Sequence, residues 1–184
     1  MTGAALDPRQ EVELLPIGVA PELLERLGPE LDRRLDVRTR VAPPIEPNPD
    51  WYDDDRSQYR ADLILDALVN RDRPPRVWTL AVLDGDLFVP GFNFVFGQAT
   101  VHGCCAVIGV TRLRPEFNGE PPGDPRFQHR LLTEAVHELG HVAGLGHCPD
   151  PRCALHFSST LADTDAKGPD LCARCRRAVL SDAN

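Results

Sequence analysis

The stretch "HELGHVAGLGHC", residues 137–148, sets three histidines, a glutamate and a cysteine among glycines and small apolar residues. It closes a longer segment, "RFQHRLLTEAVHELGHVAG" (126–144), in which Phe127, Leu131, Leu132, Ala135, Val136, Leu139 and Val142 recur at helical spacing. Asp124 and Pro125 suit the N-cap and first turn of that helix. His137 and His141 are four residues apart, so they share one face of the helix, ~6 Å apart along its axis. Both imidazoles can reach one metal ion. Glu138 is offset around the helix beside the first ligand, where it can hydrogen-bond a water without ligating the metal. Gly144 accepts the left-handed conformation that ends a helix, and the returning chain brings His147 toward the same point.

A tetrahedral zinc with three protein ligands keeps its fourth position for water. Three neutral imidazoles leave the ion its full charge, enough to bring the pKa of that water to about 7. With Glu138 as general base, the chemistry predicted is hydrolysis of an amide bond. Two incidental histidines on a core helix would explain the short pattern. They would not explain five fixed residues over eleven positions. His102 and His129 have no partner at a ligand spacing and are read as surface or packing residues.

Four of the six cysteines fall in the last 37 residues. Cys148 and Cys153 form Cys-x4-Cys, and Cys172 and Cys175 form Cys-x2-Cys after a gap of 18. Two such pairs close a tetrahedron of thiolates with no open position, a structural zinc site. Two disulfides, or a redox Cys-x-x-Cys, are the competing readings. Residues 145–175 are poor in large apolar groups, and a zinc there would fix the turn that carries His147. Cys104 and Cys105 lie in an apolar stretch and are read as buried, unreactive thiols.

Length and charge bound the rest. At 184 residues the chain has room for one domain with a sizeable core. We expect residues 1–10 to be flexible and 11–184 to form that domain. A net charge of −8 argues against nucleic acid as a partner. The basic residues are 19 arginines, scattered along the chain, and a single lysine, Lys167. No apolar run is long enough to cross a bilayer, and the N-terminus lacks a secretory pattern. A cytoplasmic monomer without membrane or nucleic-acid partners is expected, and in that compartment cysteines serve as metal ligands more often than as disulfides.

Along the chain, "EVELLPIGV" (11–19) reads as a strand, 21–35 as a helix opened by Pro21, and "DVRTRVA" (36–42) as a second strand. The proline-rich 43–51 is an irregular connection. A helix is expected over 55–70, and a strand over 76–89 ending in an Asp-Gly turn. Two further strands are expected at 92–101 and 104–113, then a polar loop, the long helix and a last helix after Pro169. This order gives an α+β, α/β-like fold: a twisted mixed sheet covered by helices, followed by a cysteine-rich segment.

Together these residues resemble the archaemetzincins, a metzincin-type family of zinc metallopeptidases. The likeness runs from about Leu80 to Arg177 and includes "DLFVPGFNFVFGQA" (86–99), "HELGHVAGLGHC", "CALHFSSTLADTDAKG" (153–168) and "CARC". It implies a compact zincin-like domain with an active-site helix and two zinc ions. One ion would be catalytic at His137, His141 and His147, with Glu138 as base. The other would be structural at Cys148, Cys153, Cys172 and Cys175. It also implies a peptide or protein substrate bound along an edge strand, for which 92–99 is the candidate. The methionine that gives metzincins their name is replaced here by Leu155, and the neighbouring His156 is a further possible site residue. No tyrosine or arginine stands at a telling position for an oxyanion donor. The missing methionine and donor motivate an alternative, a non-catalytic zinc-binding or interaction module on a peptidase fold. A third reading is a metal or redox sensor built on the cysteines.

Overall fold

A computed structural model describes residues 10–123 and 125–180. The expected flexible start therefore lies, Gln10 apart, outside the described residues, as does the N-cap assigned to Asp124. Strand β1 (Glu11–Ile17) leads into helix α1 (Pro21–Leu35) and strand β2 (Arg38–Val41). Strands β3 (Tyr52–Asp53) and β4 (Gln58–Arg60) precede helix α2 (Ala61–Val69). Strands β5 (Val77–Leu83), β6 (Leu87–Phe88), β7 (Gly97–Ala99) and β8 (Cys105–Gly109) follow. Helix α3 (Arg126–Val142), helix α4 (Leu161–Ala166) and helix α5 (Ala173–Leu180) complete the chain.

The main sheet has the order β2-β1-β5-β8-β7. Its first four strands are parallel, and β7 runs antiparallel to β8 at one edge. Parallel strands are covered on both faces, so they read as continuous apolar runs; every residue of β5 is buried. Alternation sorts those side chains between two cores. Leu14, Leu80, Val82, Ala106 and Ile108 face α1 and α3. Leu15, Ile17, Ala81, Leu83, Cys105 and Val107 face α2.

Helix α1 matches its expected span because Pro21 sets the first turn and Leu23, Leu24, Leu27, Leu31 and Leu35 form one buried stripe. Elsewhere the elements are shorter than expected. The helix expected from residue 55 starts at Ala61, because Gln58–Arg60 pairs with both β3 and β6 in a small three-stranded sheet. Within 76–89 the strand β5 ends, as expected, at the Asp84-Gly85 turn, and a further short strand, β6, follows it. That expected over 104–113 ends at Gly109 and passes into a 3-10 turn at Thr111–Leu113. Of the strand expected over 92–101, only Gly97–Ala99 forms a continuous strand, with a separate bridge between Val95 and Leu87. Helix α4 was not expected; a capping box between Thr160 and Asp163 starts it.

The site lies between α3 and the β7 edge. Beneath α3 sits Leu155, fully buried, with Cδ2 2.7 Å from where a Cβ on Gly140 would lie. The absence of a side chain at Gly140 is what admits Leu155 under the helix. Leu155→Ala is expected to cost about 2–5 kcal/mol, and Leu155→Met less than ~1.5 kcal/mol; urea denaturation measures both.

Candidate functional site

His137 and His141 project from the same face of α3, with their Nε2 atoms 3.1 Å apart. After α3 the chain reverses at Gly144, whose φ of 90° lies in the left-handed region. Gly144 N donates to the His141 carbonyl and Leu145 N to the Gly140 carbonyl. That reversal returns His147 to the other two rings, and the three residues offer donor atoms within 4.8 Å of one another. The long reading of the pattern thus comes together in space.

The outer nitrogens fix how the inner ones point. His137 Nδ1 donates to the Ala154 carbonyl and His141 Nδ1 to the Leu145 carbonyl, both at 2.7 Å. A carbonyl only accepts, so each Nδ1 carries the proton and each Nε2 keeps its lone pair for a ligand. Burial holds all three imidazoles below the ordinary histidine range, His137 furthest, with added repulsion from Lys167 on each and from neighbouring histidines on His137 and His147. Neutral imidazoles are the form that binds metal. The donor set therefore fits zinc.

Glu138 is buried, and burial pushes its carboxyl well above the usual range, with repulsion from Glu134 adding to it. It rests against the edge strand: a Cβ on Gly97 would lie 2.6 Å from Glu138 Oε1 and 2.8 Å from its Cγ. Gly97 is thus a site residue that sequence reasoning passed over. Its only signal was a glycine closing an aromatic run.

The edge strand presents free backbone to the cleft. Gly109 N donates to the Phe96 carbonyl and Thr100 N to the Cys105 carbonyl. With Gln98 opposite Val107 between them, the antiparallel alternation leaves the backbone groups of Gly97 and Ala99 pointing away from β8. Upstream, Val95 makes one antiparallel bridge to Leu87, and side chains hold Phe92 and Asn93 in place. Arg56 Nη2 donates to the Phe92 and Asn93 carbonyls at 3.2 and 2.8 Å. Gln58 Nε2 donates to the Asn93 carbonyl and to Asp86. Arg112 grips Asp86 at 2.7 and 2.8 Å and lies 4.1 Å from the centroid of the Phe94 ring. The resulting cleft encloses about 540 Å³; Phe94, Phe96, Val101 and Phe157 give it apolar walls, and the histidine trio and Glu138 sit in it.

Cys148, Cys153, Cys172 and Cys175 also converge, their sulfurs within 4.8 Å of one another. Burial pushes the Cys153 and Cys175 thiols up, whereas a backbone N–H from Cys175 draws Cys172 down to about 7. Thiolates this close repel unless a cation lies between them, and four sulfurs in this grouping are the donor set of structural zinc. Cys172 N donates to Cys153 Sγ at 3.3 Å, and Arg174 to Cys148 Sγ at 3.2 Å.

Other expectations need correction. Cys105 is buried and burial raises its thiol to about 12, but Cys104 is only half-buried and receives a hydrogen bond from Arg73. His156 is not among the residues lining the cleft; its Nδ1 donates to the Cys148 carbonyl. Tyr52 and Tyr59 stack on each other in the small sheet, with ring centroids 4.8 Å apart. Lys167 and Glu134, unassigned by the motif, both line the cleft.

The sequence pattern of peptidase family M54 matches residues 38–180. The archaemetzincin of Pyrococcus furiosus is 38% identical over 177 residues, covering 92% of each chain. The crystal structure of the archaemetzincin from Methanopyrus kandleri superposes with a TM-score of 0.81 at 32% identity, over 95% of each chain. A zinc-dependent peptidase from Methanocorpusculum labreanum superposes with a TM-score of 0.82 at 28% identity, over 91% of this chain and 99% of that one.

The packing of Glu138 against Gly97 is directly testable. Gly97→Ala is expected to turn the carboxylate away and, because its Cβ would also lie 2.8 Å from the Val107 carbonyl oxygen, to shift β7 against β8, both visible in a crystal structure.

Proposed function

This chain belongs to peptidase family M54, the archaemetzincins, and is a zinc-dependent metallopeptidase; we propose that its active centre is the cleft between α3 and β7. His137, His141 and His147 would hold the catalytic zinc. Cys148, Cys153, Cys172 and Cys175 would hold a second, structural one. Zinc in the first position supplies a Lewis acid and acidifies water. The observation that carries this reading is the convergence of three imidazoles, with Nδ1 of the first two held by carbonyls, beside the buried Glu138.

Glu138 accepts the proton of the attacking water and returns it to the leaving amine nitrogen. Its burial favours that exchange, because a carboxyl whose charged form is destabilised is a better proton acceptor near neutral pH. The substrate backbone lies along β7 as an added strand and pairs with the outward groups of Gly97 and Ala99. An N–H from the same strand is also available for the carbonyl oxygen as its charge grows, which answers the missing side-chain donor. The apolar walls favour peptides with large apolar side chains next to the scissile bond. A non-catalytic module would have no use for a buried carboxylate beside the three imidazoles, given what burying that group costs. The protein is taken as a monomer of one domain.

Two outcomes check this reading. Glu138→Gln should lower hydrolysis of a proteome-derived peptide library at least ~100-fold while zinc content by atomic absorption stays at the wild-type value. Treatment with 1,10-phenanthroline should abolish hydrolysis at one zinc lost per chain, because the half-exposed imidazole site releases its ion before the closed thiolate site does.

A further inference from the structure

One lysine stands among 20 basic residues, and with Arg130 it is the most deeply buried of those among the described residues. The Lys167 side chain is 0% exposed. It follows α4, a helix that packs on α3 through three adjoining contacts. Asp165 pairs with Arg130 at 2.6 Å. Thr164 Oγ1 donates to Glu134 Oε1 at 3.0 Å, and Lys167 Nζ lies 3.3 Å from the same oxygen. Lys167 Nζ also donates to the His156 carbonyl at 3.1 Å. It lies 3.3 Å from His137 Nδ1, but that nitrogen already gives its proton to Ala154, so the approach is no hydrogen bond in this tautomer.

Glu134 and His137 line the cleft, and His156 adjoins it through the turn that carries Ala154. Glu134 is one turn before Glu138 on α3. His156 is two residues beyond Ala154, whose carbonyl orients His137. An arginine is longer and spreads its donors over a rigid plane; a compact ammonium directs three N–H groups to a point. In a chain that uses arginine at every other basic position, that difference gives the lone lysine a reason. Stability alone is a poor reason, since a buried ion pair can be exchanged for apolar groups at little cost.

Resting on the reading that the three imidazoles hold zinc, we propose that Lys167 is a positioning residue for the His137 ligand. Its ammonium bridges the Glu134 carboxylate and the His156 carbonyl. That bridge clamps residues 153–157 beneath α3 and holds the Ala154 carbonyl at the His137 Nδ1 proton.

The test uses the full chain loaded with zinc, with chelator competition to rank its two sites. Lys167→Met is expected to keep wild-type circular dichroism and the thiolate-bound zinc. Its imidazole site should bind zinc 10–100-fold more weakly, the loss typical of removing a group that supports a metal ligand. At saturating zinc, kcat should fall with KM unchanged, and Lys167→Arg should recover part of the affinity. A merely structural lysine would weaken both zinc sites together or lower thermal stability alone. Should Lys167→Met fail to fold, Glu134→Gln takes its place; the imidazole site is then expected to bind zinc at least 5-fold more weakly. Wild-type affinity at that site, in whichever of these two variants folds, overturns the role of Lys167 while leaving the assignment of the site intact. A wild-type protein that holds zinc only on its thiolates would instead overturn the site assignment on which this role rests.

Discussion

An imidazole binds a metal well only if its ring is aimed, and the aim is set by the nitrogen that does not touch the ion. In this protein the two carbonyls that do so come from the chain after α3. Leu145 orients His141 from just beyond the helix end, and Ala154 orients His137 from the turn below. The helix brings His137 and His141 to one face, but the direction of their lone pairs depends on a segment with little regular structure. The features that organise residues 143–175 follow from this need: the left-handed Gly144, the cysteine cluster, the capped α4 and the buried Leu155.

The other wall of the cleft meets a different constraint. A sheet edge with unpaired backbone is prone to unwanted pairing, yet an extended peptide is best held by such an edge. The structure keeps the edge short. Only Gly97–Ala99 forms a ladder. The preceding residues are drawn out of line by Arg56, Gln58 and Arg112, which themselves converge on Asp86 and Asn93. The small three-stranded sheet lends Leu87 and Tyr59 to the core beneath α2, and it has a second role here: it carries Gln58 and stations it against the cleft rim. Gly97 then lets Glu138 approach the open strand closely, so base and substrate backbone would meet without an intervening side chain.

What the sequence reveals depends on whether a signal is local. Helix α1 is legible because its leucines and Pro21 lie within one short window, and the central strands because burial on both faces leaves continuous apolar runs. The histidine and cysteine spacings are legible because helix and turn geometry translate spacing directly into proximity. Phe92–Phe96 misleads, because aromatic alternation looks the same in a strand and in a rim held by arginines from elsewhere in the chain. Gln58–Arg60 misleads for a related reason: its helical apolar spacing continues into α2, while its actual partners are at Leu87 and Phe88. Helix α4 has a readable cap in Thr160 and Asp163 but too few apolar residues for a period. Gly97 acquires its meaning from Glu138, 41 positions away, and Lys167 from Glu134 and His137, 33 and 30 positions away, separations that no window spans.

Leu155 brings these threads to one place. The methionine expected there has no ligand role, and what Leu155 supplies is volume beneath Gly140, the residue before the second histidine ligand. Leucine has fewer rotatable bonds than methionine, so it fills that volume with less freedom. Its backbone does a second task. The Leu155 carbonyl accepts from Cys148 N at 2.9 Å, and the Cys148 carbonyl accepts from His156 Nδ1 at 2.9 Å. The floor of the imidazole site and the first residue of the thiolate cluster are therefore bound back to back, with His147 next in sequence to Cys148. Helix α3 is fixed by the sheet core whether or not the cysteines are joined, and Ala154 and Leu155 pack into that same core. His147 is exposed and has no such burial of its own. A disturbance of the four sulfurs would therefore reach His147 first, through Cys148, and the Ala154 carbonyl and Leu155 through the neighbouring Cys153.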